Sequence, residues 1–251
     1  MGSKSFGPTD SVADTLTQVG SNYQMPPEGG IIYALRVSKG NVVNAKEICG
    51  FIHVVTVKRT YDFAYGNGQG GATNSHSGPA EIIKCAIFVP SNTILKIYVL
   101  DATAAKDVVV SAQWKDGGSQ NKFKTMAAGG ITGSADSAAD TEEDITSSSK
   151  LTGAELTPEE NGRIYQIRFA GAGVVDAKAG SAKLEVLVKG QSGPFEYAVG
   201  NGAGGATLGG PNHADVIDIP EGIPVKSTSA INVKITSAEA MKNPSVSLSY
   251  W

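Results

Sequence analysis

The second half of this chain repeats the first, and no other feature restricts the fold as strongly. PPEGGIIYALRVSKGNVVNAK, ending at Lys46, matches TPEENGRIYQIRFAGAGVVDAK, ending at Lys178. FAYGNGQGGAT (Phe63 to Thr73) matches YAVGNGAGGAT (Tyr197 to Thr207). AEIIK from Ala80 matches ADVID from Ala214, and LKIYV from Leu95 matches INVKI from Ile231. The last strand-like run of each copy ends in tryptophan, Trp114 and Trp251. A unit that occurs twice must bury its own core, which roughly 100 residues can do. The repeats place the units at 24–115 and 155–251. A polar N-terminal arm, 1–23, precedes them, and a Gly/Ser/Asp-rich linker, 116–154, separates them.

Within each unit the apolar residues recur every second position, the period of a strand with one buried face. Tyr33, Leu35 and Val37 alternate with Ile32, Ala34 and Arg36; Tyr165, Ile167 and Phe169 alternate with Ile164, Gln166 and Arg168. The Tyr33 and Tyr165 series are expected to face the cores. In the next strand Phe51, His53, Val55 and Val57 align with Ala182, Leu184, Val186 and Val188, which makes His53 a core histidine with a local hydrogen bond. The opposite positions differ between copies. Ile52 and Val54 become Lys183 and Glu185, while Lys96, Tyr98 and Leu100 become Asn232, Lys234 and Thr236. The outer face of the first unit is therefore the more apolar, and an apolar outer face needs a cover. The second unit, the linker or a neighbouring subunit could each supply it. Short strand runs separated by turns such as Lys39-Gly40-Asn41 and Pro90-Ser91-Asn92 define the class as all-β: two tandem sandwich or jelly-roll-like units.

Charge narrows the function. The chain carries a net −3 and no cluster of Lys or Arg larger than Lys58-Arg59, so specific nucleic-acid binding is not expected. No apolar run approaches the length of a transmembrane segment, and the N-terminus lacks the apolar stretch of a secretory signal. The arm and linker are polar and low in complexity. Ordering them would cost about 1–2 kcal/mol per residue, which contacts with neighbouring subunits could offset.

The local motifs read as structure. Gly66, Gly68 and Gly71, like Gly200, Gly202 and Gly205, fit GxGxxG, but Pro79 and Pro211 follow where a dinucleotide fold needs a helix. The loops around Asn67, Gly68, Asn201 and Gly202 are instead candidate contact surfaces. His76 and His213 follow them, near Glu81 and near Asp215 and Asp218. This is an incomplete ligand set: no cofactor is expected, and an interfacial divalent cation stays open. Cys49 and Cys85 form no CxxC and read as two small buried residues, with a single disulfide left open. No GxSxG and no local Cys–His motif anchors a nucleophile, so the chain is not expected to be an enzyme. The positions expected at an interface are Ile52, Val54, Tyr98, Leu100, Asn67, Gly68, Asn201, Gly202, His76 and His213.

The duplication, the length, the missing signal and the closing IPVKSTSAINVKITSAEAMKNPSVSLSYW resemble the tandem β-barrel, or double jelly-roll, major capsid proteins of tailless icosahedral viruses. That resemblance implies two jelly rolls side by side and three chains in a pseudo-hexameric capsomer. It also implies a homo-oligomer, contacts with other virion proteins, and a virion location after assembly in the host cytoplasm. The units depart from the pattern in being short for eight-stranded jelly rolls, so a smaller immunoglobulin-like or tail-tube-like sandwich stays open. A surface module binding carbohydrate or another ligand, on a cell surface, is the alternative function.

Overall fold

The computed structural model describes residues 1–40, 50–66, 80–101, 104–129, 140–146, 155–172, 181–200, 214–237 and 242–251, and each element named in them is a β-strand. The first unit holds β1 (Gly2–Thr9), β2 (Thr17–Gln18), β3 (Tyr23–Gln24), β4 (Gly30–Gly40), β5 (Gly50–Val55), β6 (Thr60–Tyr65), β7 (Glu81–Val89), β8 (Ile94–Asp101) and β9 (Lys106–Asp116). The second holds β10 (Lys124–Gly129), β11 (Glu142–Asp144), β12 (Gly162–Ala172), β13 (Ser181–Val188), β14 (Phe195–Gly200), β15 (Asp215–Val225), β16 (Ile231–Ser237) and β17 (Lys242–Tyr250). Each unit is a sandwich of two antiparallel sheets. The first combines β1-β9-β4-β7 with β2-β8-β5-β6, where β3 also pairs with β8; the second combines β10-β17-β12-β15 with β11-β16-β13-β14. Among the described residues the two units share the same eight-strand jelly-roll order, and β3 adds a ninth strand to the first.

That order draws on segments whose sequence looked like arm and linker. Residues 1–23 supply β1 and β2, and β1 pairs with β9 from Gly2↔Trp114 to Thr9↔Val108. Inside 116–154, β10 pairs with β17 and β11 with β16. These strands are edges of their sheets. Backbone ladders hold them, so they need few inward apolar residues, and that makes them faint in the sequence. Phe6 and Val19 from the expected arm, and Met126 and Ala128 from the expected linker, are all buried in the cores.

The cores follow the period of two, with one displacement common to both units. β4 has a register shift between Ile32 and Ala34, and β12 has the same shift between Ile164 and Gln166. The extra residue in each is tyrosine. A bulge rotates the residue it contains out of the alternation, so Ile32, Leu35 and Val37 face the first core while Tyr33 is 43% exposed. Ile164, Ile167 and Phe169 face the second core, and Tyr165 stacks on Trp251 with ring centroids 4.4 Å apart. The expectation that Tyr33 faces the core is corrected by this bulge.

A buried ion pair ties the segment after β1 into the first unit. Lys39 Nζ lies 3.2 Å from Asp101 Oδ1, with both side chains almost wholly buried. Ser11 Oγ donates to Asp101 Oδ2 at 2.6 Å, the Tyr65 hydroxyl donates to Oδ1, and the Lys39 ammonium sits over the Tyr65 ring. Such a pair survives burial because its remaining lone pairs are also satisfied.

Of the two cysteines, Cys49 lies outside the described residues, so the pairing question stays with it. Cys85 Sγ is 3.4 Å from the Ile32 carbonyl oxygen, and burial pushes its thiol from 9.0 up to about 12. The sign follows directly. The unfolded thiol ionises near its ordinary value while the folded one holds its proton, so this group's share of stability is intact below that value. It is lost as pH rises from there through about 12. In a Cys49→Ser variant, folded Cys85 should stay unalkylated by iodoacetamide at pH 8 and react fully in denaturant. Mass spectrometry reads the difference; rapid alkylation of the folded form would contradict it.

Candidate assembly interface

The built interface in this chain is the seam between its two units, and it forms around β6, an edge of its sheet. An edge strand leaves every second N–H and C=O unpaired. Along β6 and just beyond, the outward groups belong to Asp62, Ala64 and Gly66, and each finds a partner. The Asp62 N–H donates to Thr125 Oγ1 at 2.7 Å, and the Ala64 N–H donates to Ser247 Oγ at 2.9 Å. The Gly66 N–H donates to Glu81 Oε2 at 3.1 Å. Thr125 and Ser247 come from β10 and β17 of the second unit. Their strands present small side chains that let the backbones approach. Ser245, Ser247 and Ser249 are buried on the face of β17 opposite its core residues Val246, Leu248 and Tyr250. Phe51, Ala64 and Ala127 form an apolar cluster across the seam.

Arg168 of β12 locks this arrangement. Its Nε donates to the Ala64 carbonyl oxygen at 3.1 Å, and its Nη2 pairs with Glu81 Oε1 at the start of β7. Both side chains are buried. Burial lowers the Arg168 guanidinium from its ordinary value, and the facing Glu81 carboxylate opposes that shift. The guanidinium remains charged all the same. At the rim, Arg59 Nη1 lies 3.2 Å from the largely exposed Glu159, a pair that contributes little. Phe123, just before β10, sits between Tyr61 and Trp251, with ring centroids 6.0 and 5.9 Å away.

The residues nominated from sequence fall in several places. Ile52 and Val54, expected on the outer face, lie in the first core. The repeat alignment was one residue out in β5. The ladders pair Ile52 with Val99 and Leu184 with Ile235, so Ile52 corresponds to Leu184, and His53 to Glu185. His53 is thus on the outward face, not in the core, with Nδ1 2.5 Å from Asp62 Oδ1. Leu100 is buried and Tyr98 half-buried, and Tyr98 lies opposite His53 in the ladder. Asn67, Gly68, His76, Asn201, Gly202 and His213 lie outside the described residues. Among the described residues no group of His, Cys, Asp and Glu is placed to hold a metal ion. Among the described residues, too, no helix is long and apolar enough to cross a membrane.

Sequence reasoning did not single out Arg168, Thr125 or the serines of β17, and noted Glu81 only as a neighbour of His76. A signal for them existed: SVSLSY alternates small polar with apolar residues, and an arginine stands at the same place in both copies, Arg36 and Arg168.

No protein-family model matches the chain, and a search of curated proteins finds no match. Among solved structures it is similar to "Crystal Structure of the STIV MCP", at 11% identity and a TM-score of 0.46, covering 98% of this chain and 94% of that one.

Proposed function

We propose that the chain is a structural building block of a virion, a capsid or related shell or tube protein that self-assembles through the surfaces of its sandwiches. The observation that carries this reading is the way its two jelly rolls meet. The β6 edge of the first unit receives the β10-β17-β12 face of the second, so the contact joins two different surfaces of two similar units. A head-to-tail contact of that kind leaves one copy of each surface open at the ends. It propagates into a ring when the rotation closes and into a filament when it does not. A ring of three such chains presents six near-equivalent jelly rolls. The fold itself serves viral shells and lectins alike, so the seam favours the first role and the fold alone does not.

Purified protein examined by negative-stain electron microscopy and sedimentation velocity, over a range of salt and concentration, should show rings, shells or tubes. A monodisperse monomer under all conditions would sink the reading. In that case a glycan array with and without calcium would test the ligand-binding alternative.

A further inference from the structure

The ladders fix which residues of the two units correspond. Arg36 pairs with Ser111 and Ile82, as Arg168 pairs with Ser247 and Val216. Ser111 pairs with Ser5 and Gln113 with Ser3, as Ser247 pairs with Ala127 and Ser249 with Thr125. The first unit therefore carries, on β1, β9 and β4, the face that the second uses in the seam: small residues around one arginine. On the receiving side, Ile52 pairs with Phe63 as Leu184 pairs with Tyr197, so Ala64 corresponds to Ala198 and Gly66 to Gly200. Glu81 and Asp215 each open the strand after the glycine loop.

Both halves of this second contact are built and open. The Gly200 N–H donates to Asp215 Oδ2 at 2.9 Å, reproducing the Gly66–Glu81 bond. That bond sets the phase of β14: the N–H groups of Glu196, Ala198 and Gly200 share one side of the strand, away from β13. β14 is an edge like β6. Ala64 is wholly buried whereas Ala198 is exposed, and Arg168 is buried whereas Arg36 is exposed. Among the described residues Arg36 forms no ion pair, and Asp215 accepts the Gly200 N–H. Ser111 is half-buried, and Ser3 and Ser5 are exposed.

We propose that chains join by repeating the internal seam, with Arg36 of one copy seated on Asp215 and the Ala198 carbonyl of the next. This rests on the assembly reading above and names its contact. The Ser111 hydroxyl of the first copy accepts the Ala198 N–H, and Ser3 accepts the Glu196 N–H, as Ser247 and Thr125 do within the chain. The charges are complementary: Arg36 and Lys84 lie on the donating face, Asp215 and Glu196 on the receiving edge. The receiving sheet carries Lys183 and Glu185 where the first unit has Phe51 and His53. The contact between chains is therefore wetter than the seam within them, which suits reversible assembly.

The test compares full-length wild type with Arg36→Glu, Asp215→Arg and the double reversal by sedimentation velocity across a concentration series. Arg36 is exposed, so thermal unfolding of Arg36→Glu should match wild type, whereas Asp215→Arg also loses the Gly200 N–H bond and its assembly is compared at a temperature where circular dichroism shows it folded. Each single reversal should raise the concentration for half-assembly by about tenfold or more, and the double should recover most of it. Ala198→Trp, at an exposed edge position, should block assembly while leaving the fold intact. Wild type that assembles, with all these variants assembling equally well, overturns this contact alone. Wild type that stays monomeric overturns the assembly reading and the contact with it.

Discussion

Arg168→Ala should destabilise the chain by about 3–5 kcal/mol, the range seen when one partner of a buried ion pair is removed. The mutation strips Glu81 of its guanidinium while leaving the carboxylate buried, and it orphans the Ala64 carbonyl. The loss should concentrate at the seam. Wild type is expected to unfold in urea as one transition, because Phe123, Arg168 and the β17 serines couple the two sandwiches. In the variant the second sandwich should separate from the first at lower urea. Replacing both partners together, Arg168→Met with Glu81→Leu, should cost much less, because no buried charge is left alone. Equal losses in the single and double variants would show that the pair is not what holds the seam.

Removal of residues 1–9 should have the second large effect. A polar arm could be cut away without consequence. A strand cannot: β1 covers the edge of β9, and Phe6 fills part of the first core. Loss of a buried phenylalanine alone costs about 3–5 kcal/mol, and the truncation also exposes the β9 ladder. The truncated protein should bind a hydrophobic dye and aggregate at temperatures where the intact chain is folded. Phe6→Ala isolates the packing part of that loss. An unchanged unfolding midpoint after truncation would mean that β1 contributes nothing.

What could be read from the sequence divides along physical lines. Central strands with a buried face were legible: Leu35, Val37, Ile167 and Phe169 are core residues in the places their alternation indicated. The bulge at Tyr33 was not, because one inserted residue leaves the string of apolar letters unbroken while it turns the backbone. Nor were β1, β10 and β11, edge strands whose stability lies in hydrogen bonds common to every residue type. The one-residue slip at His53 has a related origin: FIHVV is apolar on both faces, one toward its own core and one toward the outward surface, so period two cannot choose the register. The apolar outer face was assigned to Ile52 and Val54, which lie in the first core; the β5 residue that meets the second unit is Phe51, packed with Ala64 and Ala127. Arg168 was hidden for a different reason. Side by side in the alignment, Arg36 and Arg168 look alike, and only packing tells that one is buried and the other bare.

In both sandwiches the face that carries the arginine spans three neighbouring strands of one sheet, the unit's first and last among them: β1, β9 and β4, then β10, β17 and β12. Gly2 meets Trp114 there, and Lys124 meets Tyr250, so each such surface exists only after the two distant ends of a unit have found one another. Contacts so far apart in the chain form slowly. A half-finished polypeptide consequently has no such surface to offer, and in an assembly of the proposed kind only subunits that have already completed their fold would be recruited.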